Sequence, residues 1–210
     1  MTGEPDKRTR GRPKTFDRAH TLGVAVDSYW RDGVDAVSLN EICRRAGVAK
    51  PGLYREFGDE DHLMDAVLDR YHTDVLQPIL ASLDRDQPFD EAVNRLLALL
   101  TRPARDGRPS GCMIAKMRAA RSRLGPVTGA RLDRIRAEAL GAYTAWLRRS
   151  VERGEVTLRE SLETTAAYVD AQLTLALNRI AAGEDPTTVR VHAHMAFTAI
   201  SIADAHDPGR

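Results

Sequence analysis

The stretch SLNEICRRAGVAKPGLYREF, residues 38–57, decides the fold of this chain. Ser38 followed three places later by Glu41 has the spacing of a capping box, in which each residue satisfies a backbone donor of the other at a helix start. Val37 before the cap and Ile42 at the fourth helical position fit a hydrophobic staple. Ile42 and Ala46, one turn apart, share a core-facing side, which leaves Asn40, Arg44 and Arg45 to solvent or ligand. Gly47 can take the left-handed backbone of a helix stop, and Pro51 fits the first turn of a second helix. Leu53 and Phe57 give that second helix its buried side, with Lys50, Tyr54 and Arg55 outside. A short helix, a glycine turn and a second helix showing aromatic and basic groups make a helix-turn-helix pattern, whose second helix enters the DNA major groove. Helix-Gly-helix alone also fits a helical hairpin that carries no ligand.

The surroundings strengthen the first reading. The 210 residues suffice for one or two small domains with a substantial core. The net charge of +1 is unevenly divided: 11 Lys+Arg against 8 Asp+Glu through Gly58, a balance of +3, and 20 against 22, or −2, beyond it. The basic excess lies with the helix-turn-helix. Residues 1–14 are polar, without periodicity, and read as a flexible basic arm. Within it, Arg10-Gly11-Arg12-Pro13 resembles the core of the AT-hook, in which two guanidinium groups flanking a glycine lie in a narrow minor groove. A solvated basic tail is the plainer reading of the same residues.

Two cysteines, Cys43 and Cys112, make no disulfide framework and stand in no metal-ligand spacing. His192 and His194, two apart, face different sides of a helix, so no metal site is expected there. No stretch is apolar enough to span a membrane and no leader pattern opens the chain, so a cytoplasmic location is expected.

Helical periodicity continues on both sides of the motif, and no strand pattern of convincing length appears, so the fold class is all-α. A first helix over 15–32 turns Leu22, Val26, Tyr29 and Trp30 inward and stops at Gly33. With Ile42, Val48, Leu53 and Phe57 it completes a three-helix unit over 15–58. A long helix from about residue 59 carries Leu63, Val67, Tyr71 and Leu76; Asp59, Glu60 and Asp61 suit its N-terminus by charge, and Pro78 is expected to kink or end it. Helices follow over 89–101, 112–124 and 127–153, with a Pro-, Gly- and Arg-rich loop over 102–109. The last two, 162–182 and from Asp185-Pro186 onward, are apolar nearly all round. Such helices are buried on more than one side, and a second copy of the chain is the economical cover. Leu173, Leu177, Ile180, Phe197 and Ile200 are the candidate interface residues of this homodimer.

Residues 37–63 also resemble the DNA-binding domain of the tetracycline-repressor (TetR) family of bacterial transcription regulators. Val37-Ser38-Leu39, Ile42, Arg45-Ala46-Gly47-Val48, Gly52-Leu53-Tyr54, Phe57 and Leu63 carry the resemblance, over roughly the first third of the chain. It implies an N-terminal helix-turn-helix domain followed by a C-terminal helical ligand-binding and dimerisation domain over 59–210, with the last two long helices pairing as a four-helix bundle. It implies double-stranded DNA as partner, a near-palindromic operator, and a small-molecule effector whose pocket lies among the C-terminal helices. By resemblance Tyr54 touches the phosphate backbone, and Ser38 can do the same. Backbone amides around Pro51 and Gly52 can bond a phosphate. Lys50, Arg55 and Asn40 are candidates for base edges, and Arg44 for a further contact. Two positions depart from the family pattern: Ala49 stands where a small hydroxyl residue is frequent, and Glu60 where a lysine is common.

Tyr71, His72, Met113, Met117, Tyr143, Trp146 and Gln172 are candidate pocket-lining residues, although such side chains at helical spacing also serve as plain core. No Ser/His/Asp, Cys/His or paired-carboxylate set, phosphate loop or cofactor motif is legible, so neither catalysis nor a cofactor is expected. The chain reads as a dimeric repressor released from DNA by a small ligand. The alternative is a DNA-binding regulator controlled by a protein partner or by thiol oxidation, and an all-α enzyme stands further off. Cys112 opens a predicted helix near Arg105, Arg108, Lys116 and Arg118, surroundings that favour a reactive thiolate; a small buried hydrophobe is its plainer role.

Overall fold

A computed structural model describes residues 16–102 and 109–201 of the chain. Ten α-helices run through them: α1 (Arg18–Asp32), α2 (Leu39–Ala46), α3 (Lys50–Phe57), α4 (Glu60–Tyr71), α5 (Gln77–Ala81), α6 (Phe89–Leu100), α7 (Met113–Ala119), α8 (Pro126–Glu152), α9 (Leu162–Ala181) and α10 (Pro186–Thr198). The all-α expectation holds, with one isolated antiparallel bridge, Leu158 to Ser201, among the described residues. No helix among them is long and apolar enough to cross a membrane. The arm with Arg10 and Arg12, most of the 102–109 loop, and the chain after residue 201 lie outside them.

The helix boundaries follow local chemistry. Asp17 caps α1 by accepting from the His20 amide at 2.9 Å, Ser38 caps α2 through the Glu41 amide at 3.3 Å, and Asp185 caps α10 through the Thr188 amide at 2.9 Å. Gly47 ends α2 at φ 65°, ψ 33°, a left-handed conformation that costs a residue with a Cβ. The capping box is only half built. Glu41 accepts from Arg44 and Arg45 at 2.7–2.8 Å instead, and these bonds hold its carboxyl down to about 2.

Pro78 does not stop the helix before it. Residues His72–Leu76 form a π-helical turn in which the Gln77 N–H bonds back to the His72 carbonyl, five residues earlier, and α5 continues from there. The wider turn just ahead of Pro78 gives its ring room and absorbs the missing donor.

Two apolar cores result. One, in the body, gathers α6, α8, α9 and α10 around Trp146, whose ring stacks on Phe89 at 5.0 Å. The other contains the expected head residues Leu22, Ile42, Leu53 and Phe57, with Val26 and Val48 against them, and runs on through Leu63, Val67 and Tyr71 of α4 into Met113 and Met117 of α7 and Leu132 and Ile135 of α8. Hydrophobic burial therefore crosses residue 58 without a break.

The last two helices correct the sequence reading. Leu173, Ile180, Phe197 and Ile200 are 3–6% exposed and belong to the body core of one subunit. Leu177 is half-buried and lines a cavity. The outward apolar side chains are Tyr168 and Leu175 on α9 and Val191 and Met195 on α10, the last 62% exposed. Both helices do carry two apolar faces; periodicity alone does not say which is the inner one.

Candidate nucleic-acid interface and the cavity behind it

Helix α3 is held from beneath by Leu53 and Phe57, both buried. Phe16 packs edge-on against Phe57 at 6.3 Å, and Arg18 lies over the same ring and pairs with Glu56 at 3.0 Å. The opposite face is open. Tyr54 is 40% exposed, and the Lys50 ammonium sits 5.6 Å from its ring centre, one turn back. Arg55 is exposed, and neither it nor Lys50 has a carboxylate partner among the described residues. A phenol beside two uncommitted cations suits a polyanion.

Other candidates are less free. Arg44 is tied to Glu41 yet keeps most of its side chain in solvent, whereas Arg45 bridges Glu41 and Asp32 and so fastens α2 to α1. Asn40 is exposed in the first turn of α2, and Ser38 spends its hydroxyl on the cap. The phosphate-binding amides expected around Pro51 and Gly52 are at odds with the geometry. Pro51 has no N–H, and the Gly52 N–H donates to the Ala49 carbonyl at 2.9 Å. Ala49, the N-cap of α3, has no side chain to relieve that amide.

Behind the head, between α1, α4, the π turn, α6, α8 and α9, lies a cavity of about 860 Å³, within the range of small-molecule sites. Tyr71 and Tyr143 line it as expected, and Trp30, Leu76, Cys112, Leu173 and Leu177 line it as well. The other five candidates do not. Met113 and Met117 are sealed in the head core and Trp146 in the body core. His72 turns its Nε2 to Glu138 at 3.0 Å, and Gln172 lies along α9 outside the wall. Cys112 was legible as a helix-start thiol; its place in the wall follows from the packing of α7 on α1 and α9. Among the described residues no cluster of His, Cys, Asp and Glu is arranged to hold a metal.

A one-turn recognition face on a three-helix head, in front of a helical body with a cavity, defines a helix-turn-helix protein. Residues 22–67 match the family model "Bacterial regulatory proteins, tetR family". It is 45% identical over 65 residues to the transcriptional repressor ComR of Escherichia coli K12, covering 31% of each chain. It is 30% identical over 115 residues to the repressor BdcR of the same strain, covering 54% of this chain and 58% of that one. The chain thus spans a third to three-fifths of these relatives, which are transcription regulators rather than enzymes. The fold matches CifR, a TetR-family regulator solved as a cysteine mutant with 26-bp operator DNA, at a TM-score of 0.74 and 22% identity over 90% of this chain and all of that one.

Proposed function

We propose that this chain is a dimeric transcriptional repressor that holds a near-palindromic operator through α3 and releases it when a small molecule fills the cavity. The observation that carries the reading is the outer face of α3, where Lys50, Tyr54 and Arg55 stand exposed with no acidic partner among the described residues. The cavity favours a small ligand over a protein partner as the signal. The apolar side chains left outward on α9 and α10 favour a second copy of the chain as the cover of that face.

The test is a footprint followed by anisotropy titrations on the protected fragment. Lys50→Ala and Arg55→Ala should each relax preference at particular base pairs, by about 1–3 kcal/mol per good contact. Tyr54→Phe should weaken every sequence alike, because a phosphate contact carries no base information. Unchanged affinity and preference in all three variants would remove α3 from the interface.

The arm is read the same way. Deleting residues 1–14 should lower affinity and flatten its salt dependence, since fewer counterions are released. An unchanged salt slope in the truncated protein would make Arg10 and Arg12 bystanders.

A further inference from the structure

One wall of the cavity carries a thiol and two phenols. Tyr71 accepts a hydrogen bond from the Met113 amide at 3.4 Å and lies beside the Cys112 thiol. Burial, and then the thiol beside it, push Tyr71 well above the ordinary phenol range, so it stays a donor. Tyr143 lines the same wall, is 6% exposed, and has no hydrogen-bond partner for its hydroxyl among the described residues. Burial also raises Tyr143 above the usual phenol range. An unpartnered O–H on a buried ring that lines a cavity can donate to an acceptor placed there. The wall also carries Leu76, Leu96, Leu100, Leu173 and Leu177 together with Asp74, Arg102 and Ser110, a mixture that suits a molecule with an apolar body and a polar group.

We propose, resting on the effector reading above, that the cavity takes molecules bearing an α,β-unsaturated carbonyl, with Tyr143 holding the carbonyl oxygen and Cys112 capturing the molecule covalently. The sulfur bonds to the β-carbon, the C=C π pair moves onto the carbonyl as an enolate held by the Tyr143 O–H, and the proton lost by the thiol ends on the α-carbon. No oxidant or reductant is consumed. The cations read from the sequence do not supply the activation. Lys116 donates to the Trp30 and Arg31 carbonyls at 2.6 and 3.0 Å, Arg118 pairs with Asp170, and Arg105 and Arg108 lie outside the described residues.

The position of Cys112 also says how capture reaches the head. Its neighbour Gly111 accepts from the Trp30 indole N–H at 3.0 Å. On the other side a Cβ at Gly111 would stand 2.6 Å from the Ala181 Cβ, so this corner has no slack toward α9. Bulk added at Cys112 enters the cavity that Trp30 also lines, beside the C-terminal end of α1 that Lys116 grips.

The test uses the full chain, 4-phenyl-3-buten-2-one as probe, and its saturated analogue 4-phenyl-2-butanone as control. Peptide mapping should find one enone on Cys112, added roughly tenfold faster than on Cys43, whose thiol burial pushes up. Tyr143→Phe should slow the enone roughly tenfold or more, as loss of a carbonyl-oxygen donor does. It should leave the rate of methyl methanethiosulfonate at Cys112 unchanged. The enone, and not the saturated ketone, should free the DNA in the wild type, and Cys112→Ser should keep it bound. Equal rates at both cysteines, or equal slowing of both reagents by Tyr143→Phe, would overturn the proposal. Release by the saturated ketone would overturn the covalent step and leave the cavity reading intact; an adduct on Cys112 with DNA still bound would overturn the effector reading instead.

Discussion

Glutamates at Leu175 and Met195 together are expected to leave a folded monomer that has lost its hold on the operator. Both side chains are outward, 53% and 62% exposed, so the charges meet water in the free subunit and cost its fold little. In a dimer they would be buried against a like-charged copy, a penalty of several kcal/mol. Losing the second head removes an intramolecular binding event, which is worth roughly 10²–10⁴-fold in apparent affinity. Sedimentation and anisotropy on the same sample test both halves. Leu173→Glu is the contrasting control: at 3% exposure inside the body core its charge has no exit. It should unfold the subunit, since the cost is comparable to a whole domain's stability. A double variant that still sediments as a dimer would move the interface elsewhere.

Asp61→Ala is the second large effect, with an expected cost of about 2 kcal/mol, the upper end for losing a helix N-cap. The residue opens α4 but caps another helix. Its carboxylate accepts from the Val127 and Thr128 amides at 2.8 and 2.9 Å and from the Thr128 hydroxyl at 2.5 Å, all at the start of α8. Gly125 makes the approach possible, because a Cβ there would stand 2.2 Å from the Asp61 carboxyl carbon. Gly125→Ala should therefore break the same contact, and the double variant should cost much less than the two single ones added. Burial alone would raise the Asp61 carboxyl; the hydrogen bonds from Thr128 and Val127 together outweigh it and set it below the usual range. A depressed carboxylate stabilises above its unfolded value, about 4, and that contribution fades as pH falls through the lower folded value. Thermal melts from pH 6 downward should thus lose stability faster in the wild type than in Asp61→Asn. Parallel curves would show the cap to be inconsequential.

The head was legible because each of its elements has one apolar face: Ser38, Gly47 and the Leu53–Phe57 pair each imply a local geometry that the structure reproduces. The α9 and α10 surfaces were not, because a helix apolar on two sides offers periodicity two solutions. Half of the Asp61 story was readable too. Its charge suits a helix start, but its partners lie 66 and 67 residues away, beyond any local rule. Of the two outcomes expected at Pro78, a kink or an end, the helix does not end: a π turn at His72–Leu76 changes the register just before it. The cavity wall depends on how α7 meets α1 and α9, so Tyr71 and Tyr143 could be named while Trp30, Leu173 and Leu177 could not.

The unbroken core from Leu22 through Tyr71 to Met117 and Ile135 bears on how this architecture diversifies. A head that ended at residue 58 could be exchanged among relatives as a cassette, leaving each body its own signal. Here α1 closes its core with methionines supplied by α7, and α7 begins at the cavity wall. Recombination at residue 58 would leave both halves with unmatched surfaces, and the two sides are expected to unfold in a single cooperative step. Changes in the sensing end must then be accepted, substitution by substitution, by the end that reads DNA.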